Sequence, residues 1–266
     1  MLQAPESSPY DLKFPIFGFD VRVSWTFWLI AIVLGYNNAT ATDANYAYQN
    51  LDSPGPIALL AIWVAAMFVS ILIHELGHTF AFRFYGIDSQ IVLYHFGGLA
   101  IPTSFLSWNG AKTRRIAPLE QLIISAAGPA AQLVLGSIFL IGAISQDIKP
   151  AMIPNTLFGF SLISQDVPLP SNAALAMLLD SMIFINFMWS FLNLLPILPM
   201  DGGRIAESLI AMYRRGDALR EASILSIACG CLFGWWLLNT SYSSTGIMLI
   251  VLGLSNIENL QRYSRW

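Results

Sequence analysis

Residues 56–82 read PIALLAIWVAAMFVSILIHELGHTFAF, an apolar run without a charge before Glu75. About 20 apolar residues, rising 1.5 Å each, cross a hydrocarbon core of roughly 30 Å. The segment therefore predicts a membrane-spanning helix. Composition agrees: of 266 residues, 56% are hydrophobic and only 11% are charged, with a mean hydropathy of +0.61. Soluble domains carry roughly 25% charged residues, so too little charge is available to cover a water-soluble globule. A formal charge of −3 supplies no basic field for nucleic acid. The two cysteines, Cys229 and Cys231, lie two apart in another apolar run and face different ways on a helix. They indicate neither a disulfide nor a metal pair.

Working outward, five further apolar runs occupy residues 23–36, 119–145, 173–200, 222–238 and 245–257. The first and last are short. The predicted fold is thus an all-α polytopic membrane protein of about six helices. An amphipathic stretch over residues 14–22 lies at the interface and feeds the first. Cytoplasmic flanks collect Lys and Arg. With the N-terminus inside, six spans place Lys13, Arg22, Arg83, Lys112, Arg114, Arg115, Arg204, Arg214, Arg215, Arg220, Arg262 and Arg265 in the cytoplasm. Lys149 alone falls outside. Both termini are therefore expected to be cytoplasmic, and the first span to stay as an anchor.

Residues 37–55 and 146–172 read as irregular outer loops. Residues 87–101, IDSQIVLYHFGGLAI, are β-branched and aromatic around a Gly-Gly break, which predicts a small membrane-associated β-hairpin between the second and third helices. At membrane depth such a hairpin must be buried against protein or line a wet cavity. Its edge could accept an extended peptide. Residues 1–266 read as a single multi-pass domain with its core over 56–210.

Ionisable groups within a bilayer are expensive and mark function. Two of the three histidines fall in His74-Glu75-Leu76-Gly77-His78. Four residues return a helix to nearly the same face, so both imidazoles can reach one metal ion, with Glu75 one residue further round. Zinc suits two histidines plus one further protein ligand and an open position for water. Glu75 can take and return that water's protons. The third ligand should be an acid at equal depth. Entering at Pro56, the helix carries His74 about 27 Å inward. The fourth span runs the same way and finishes Asn193-Leu194-Leu195-Pro196-Ile197-Leu198-Pro199-Met200-Asp201-Gly202-Gly203. Asp201 therefore reaches the same leaflet, whereas Asp180 lies roughly 30 Å away if its helix is regular.

HExxH in a membrane helix together with Asn-x-x-Pro-x-x-Pro-x-Asp-Gly resembles the site-2 protease family of intramembrane zinc metalloproteases, over about residues 70–210. The resemblance implies hydrolysis of peptide bonds of membrane-embedded substrate proteins. It implies one zinc per chain held by His74, His78 and Asp201, with Glu75 as general base. Asn193 matches a motif asparagine that engages substrate or the transition state, and residues 85–98 match the family's membrane-embedded hairpin. The chain resembles the compact form, since no stretch reads as a PDZ or CBS module. It departs at Gly128-Pro129-Ala130-Ala131-Gln132, where the family often has Asn in place of Gln132. Gln132 reads better as a polar contact between helices, and Gly128 as a residue that permits close packing. His95 reads as a hairpin residue bonded to backbone.

The expected partners are a transmembrane substrate protein and the bilayer, with room for a regulatory membrane partner or a homo-oligomer. A substrate segment, unwound from its helix, would pair as a strand near Gly97 and Gly98. The alternative is a proteolytically silent zinc-binding membrane scaffold. The intact Glu75 speaks against it, because a silent protein needs no general base. A metal transporter would need more acids or histidines along a path across the bilayer than this single cluster supplies.

Overall fold

The computed structural model describes residues 6–95, 97–103, 116–146, 148, 156–157, 160–161, 170–214, 216–240 and 243–263. Lys112, Arg114, Arg115, Lys149, Arg215 and Arg265, with most of the second outer loop, lie outside the described residues. Two strands come first, β1 (Leu12–Ile16) and β2 (Phe19–Val23), followed by helices α1 (Trp25–Tyr48) and α2 (Pro56–Phe84). Strands β3 (Ser89–Tyr94) and β4 (Gly97–Pro102) lead to α3 (Pro118–Ser145) and a short β5–β6 pair (Thr156–Leu157, Phe160–Ser161). Helices α4 (Ala173–Asn193), α5 (Asp201–Tyr213), α6 (Ala218–Leu238), α7 (Ser243–Ser255) and α8 (Ile257–Tyr263) complete the chain.

Among the described residues, four helices, α2, α3, α4 and α6, are long and apolar enough to cross a membrane. The first and last of the six expected spans differ. Helix α1 is a 24-residue helix running to Tyr48 through Asn, Thr and Asp residues, so much of the expected loop at 37–55 is helical. Helix α7 has 13 residues, about 20 Å at 1.5 Å per residue and short of the hydrocarbon thickness. The expected fourth span also stops early. Its helix ends at Asn193, and residues 194–200, which contain Pro196 and Pro199, are not helical before α5 starts at Asp201.

The fold is mostly helical with a small sheet, which is larger than the single hairpin expected. Residues 14–22, expected as an interfacial amphipathic stretch, belong to a β-hairpin that joins β3 and β4 in a four-stranded sheet ordered β1-β2-β3-β4. The cause is local. Phe19, Val21 and Val23 alternate with Asp20 and Arg22, a period of two that buries one face. Phe17 and Gly18 both adopt positive φ (50° and 79°), as a two-residue hairpin turn requires. Arg83, in the last turn of α2, donates to Phe17 O at 2.9 Å and lies 3.6 Å over the Phe19 ring, which fastens the hairpin to that helix.

The inner face of the sheet and helices α1, α2 and α4 enclose the main core, which includes Val21, Phe27, Leu59, Ile71, Ile91 and Met182. Gly35 of α1 lies against the Trp63 indole, where a Cβ would overlap the ring. Close packing at this point brings the two helices together.

Candidate metal and catalytic centre

Helix α2 buries the face that carries Ser70, His74, Glu75 and His78. His74 Nε2 and His78 Nε2 lie 3.0 Å apart. Asp201, the first residue of α5, places Oδ2 at 3.1 Å from the first and 3.3 Å from the second. Four residues of helix align the two rings, and the interruption before α5 swings the aspartate onto them.

The other ring nitrogens define the chemistry of this triangle. His74 Nδ1 lies 2.9 Å from Gln132 Oε1, and His78 Nδ1 lies 2.7 Å from Ile124 O. Both oxygens only accept. The Gln132 amide is oriented because its Nε2 donates to Ser70 O at 3.2 Å and its Oε1 accepts from Ser190 Oγ at 3.2 Å. Each Nδ1 therefore carries the proton, and each Nε2 turns its lone pair toward Asp201. With both rings neutral, two lone pairs and a carboxylate converge, an arrangement that a cation stabilises. Ligand atoms 2.0–2.1 Å from a tetrahedral zinc lie about 3.3 Å apart, so both the spacing and the donor set fit that metal. Outer partners that fix the tautomer, as Gln132 and Ile124 do, are typical of metal-ligating histidines.

Gln132 is thus more than an interhelical contact: it is fully buried and bonded to His74. Sequence spacing gave no sign of this, since 58 residues separate the pair. Gly128 permits close packing on two counts: a Cβ there would overlap the His78 imidazole, and a Cβ on Gly77 of α2 would overlap the backbone of Ala127 and Gly128.

Glu75 is 3% exposed and is not one of the three converging donors. A Cβ on Gly98 would overlap its carboxylate, so β4 passes directly beside it. Gly97, at φ +115°, lies against the Trp189 ring. Burial and the nearby Glu75 charge push the phenol of Tyr94 on β3 up to about 12, so it stays neutral. Asn193 is the last residue of α4 and is half-buried, eight positions before Asp201. His95 is exposed, with Nδ1 3.2 Å from the Thr26 hydroxyl. Asp180 belongs to another neighbourhood, that of Tyr46 on α1.

The close passage of β4 yields a test. Gly98→Ala should displace the Glu75 carboxylate while leaving the three converging donors in place. A displacement of about 1 Å at a reacting group costs on the order of 10²-fold in rate. Metal content equal to wild type with cleavage reduced to that extent is the expected pair of results. Unchanged cleavage would show that Glu75 does not depend on the open space at Gly98.

Apolar helices long enough to cross a membrane, around a His-His-Asp group that could hold a metal ion, define the class as a membrane protein with a candidate metal centre. Residues 62–237 match peptidase family M50, and the chain belongs to that family, the site-2 protease family of zinc metalloproteases. A Synechocystis sp. protein named as a candidate zinc metalloprotease is 27% identical over 234 residues, which is 88% of this chain and 51% of that protein. A zinc metalloprotease of Methanocaldococcus jannaschii is 28% identical over 152 residues, covering 57% of this chain and 35% of that one. The chain therefore spans about half or less of the length of these two relatives. The site-2 protease structure from Methanocaldococcus jannaschii is similar in fold, with a TM-score of 0.51 and 23% identity over 93% of this chain and 95% of that one.

Proposed function

We propose that this protein is an intramembrane zinc metalloendopeptidase that hydrolyses peptide bonds of membrane-embedded substrate proteins. The observation that carries the reading is the convergence of His74 Nε2, His78 Nε2 and Asp201 Oδ2 at 3.0–3.3 Å beside a buried glutamate outside the triangle. These three residues hold one zinc. When bound, zinc supplies Lewis acidity toward the scissile carbonyl and lowers the pKa of a coordinated water.

The remaining chemistry belongs to the chain. Glu75 takes the proton of the attacking water and returns it to the leaving amine nitrogen. Among the described residues β4 ends the order β1-β2-β3-β4, so a substrate segment adds beside it, unwound because helical backbone hides its carbonyls. Gly97 and Gly98 bring that edge to Glu75, and Asn193 holds substrate backbone or the developing oxyanion. Tyr94, neutral and buried at the same strand, lines the approach without adding charge.

The protein lies in the cell membrane with both termini in the cytoplasm and the centre near the cytoplasmic leaflet. The six-span reading of the sequence, which puts Lys13, Arg22, Arg83, Arg204, Arg214 and Arg220 on one side, supports this orientation. Purified in detergent, the protein should hold one zinc per chain. Stripping the zinc with a chelator should stop cleavage of single-span membrane proteins reconstituted with it, and one equivalent of zinc should restore cleavage. Cleavage that survives metal removal would reject the proposal.

A further inference from the structure

We propose that Ser226 of α6 and Asn256, between α7 and α8, are positioning residues for the third metal ligand. They clamp both backbone groups of Leu198, three residues before Asp201. The inference rests on reading His74, His78 and Asp201 as a metal centre, and extends that centre to the C-terminal helices. Asn256 lies beyond the residues that match the family.

Residues 194–200 leave the helical hydrogen-bond ladder, and non-helical backbone at membrane depth must find partners elsewhere. Leu198 finds two. Its N–H donates to Ser226 Oγ at 2.9 Å, and its carbonyl accepts from Asn256 Nδ2 at 2.9 Å. All three residues are buried. The donor roles are consistent at each group. The Ser226 hydroxyl gives its proton to Ala222 O at 2.7 Å and so is free to accept. The Asn256 amide nitrogen also donates to Leu252 O at 2.9 Å, and its Oδ1 accepts from Asn259 Nδ2 at 3.3 Å, which fixes which end faces Leu198.

The clamp is coupled to Asp201 through a short, closed path. Met200 N–H bonds to Ile197 O at 2.9 Å, and Arg204 N–H to Met200 O at 3.2 Å. Gly202 packs on the backbone of Leu194 and Leu195, and Gly203 on that of Ile197 and Leu198, where a Cβ at either would overlap it. With no slack between Leu198 and the start of α5, a shift of the clamped backbone carries Asp201 Oδ2 away from the two imidazoles. Those imidazoles are set independently, by Gln132 and Ile124. Metal affinity should therefore respond to two side chains that touch neither the metal nor its ligands.

The test uses the full-length protein in detergent. Zn²⁺ and Co²⁺ affinities are measured by chelator competition, together with the ligand-field absorption of bound Co²⁺ and the thermal unfolding of metal-free protein. Ser226→Ala and Asn256→Leu should each weaken metal binding about tenfold, the lower end of what outer partners contribute, and alter the Co²⁺ spectrum. Ser226→Thr, which keeps the hydroxyl, should restore wild-type values. Ser145→Ala, at the end of α3, should leave affinity unchanged, since that hydroxyl donates to Gly142 O of its own helix at 2.8 Å. Should Asn256→Leu fail to fold, the Ser226→Ala and Ser226→Thr pair decides the matter. Variants with wild-type affinity and spectrum would overturn the clamp alone. A wild type that holds no stoichiometric metal would overturn the metal centre and the clamp together.

Discussion

Glu75→Gln is expected to keep its zinc and lose cleavage. The amide matches the carboxylate in volume, so it fits the space that Gly98 leaves open. It removes none of the three converging donor atoms, which belong to His74, His78 and Asp201. What it removes is proton uptake: an amide cannot accept a proton from water at neutral pH and hand it to a departing amine. General-base contributions run to about 10²–10⁴-fold, and cleavage should fall by that factor with metal content unchanged. Membranes from cells making the variant should accumulate full-length single-span proteins that the wild type processes, read by quantitative proteomics. A zinc-loaded variant that cleaves at the wild-type rate would sink the role given to Glu75. Under the scaffold alternative the two membranes would be identical, because the wild type would also leave its partners whole.

The part of this centre that was legible in the sequence is the part that the bilayer makes expensive. Two histidines and a glutamate in a run otherwise free of charge stand out because hydrocarbon penalises them unless something resolves the cost. Depth along parallel helices then points from His74 to Asp201 rather than Asp180. Through-space partnerships left no such mark. Gln132 reaches His74 across 58 residues, and Ser226 and Asn256 reach Leu198 across 28 and 58. Nothing in composition separates these groups from ordinary interhelical polar contacts.

The fold was misread at the N-terminus for a related reason. The alternation over residues 19–23 spans only five positions and runs into an apolar segment. A period of two is then hard to tell from the end of an amphipathic helix. Parallel pairing of β2 with β3 depends on a strand some 70 residues later in the chain, which local pattern cannot reveal. The length of α1 was misjudged because its second half is polar, and helices are not obliged to end where hydrophobicity does.

Asp201→Asn should lower zinc affinity by about 10²-fold or more while leaving the metal-stripped protein at least as stable as metal-stripped wild type. The two halves of this expectation come from the same triangle. In the wild type, Oδ2 stands 3.1 and 3.3 Å from imidazole nitrogens whose protons are committed on the far side of each ring, to Gln132 and Ile124. Removing the charge leaves a dication in an apolar site facing only neutral ligands. Leaving a buried charge uncompensated costs about 3–5 kcal/mol, or two decades of affinity and more at 1.4 kcal/mol per decade. Without metal the sign reverses. With both rings neutral, the amide N–H₂ can turn toward the histidine lone pairs and donate, each bond contributing about 1 kcal/mol, where a carboxylate has no donor to meet them. Chelator competition checks the first half, and thermal melts of both proteins after metal removal check the second. A variant that retains one zinc at wild-type affinity would place the third ligand elsewhere. A metal-free variant that melts well below metal-free wild type would mean that, without metal, His74 or His78 carries a second proton on Nε2 and already bonds Asp201.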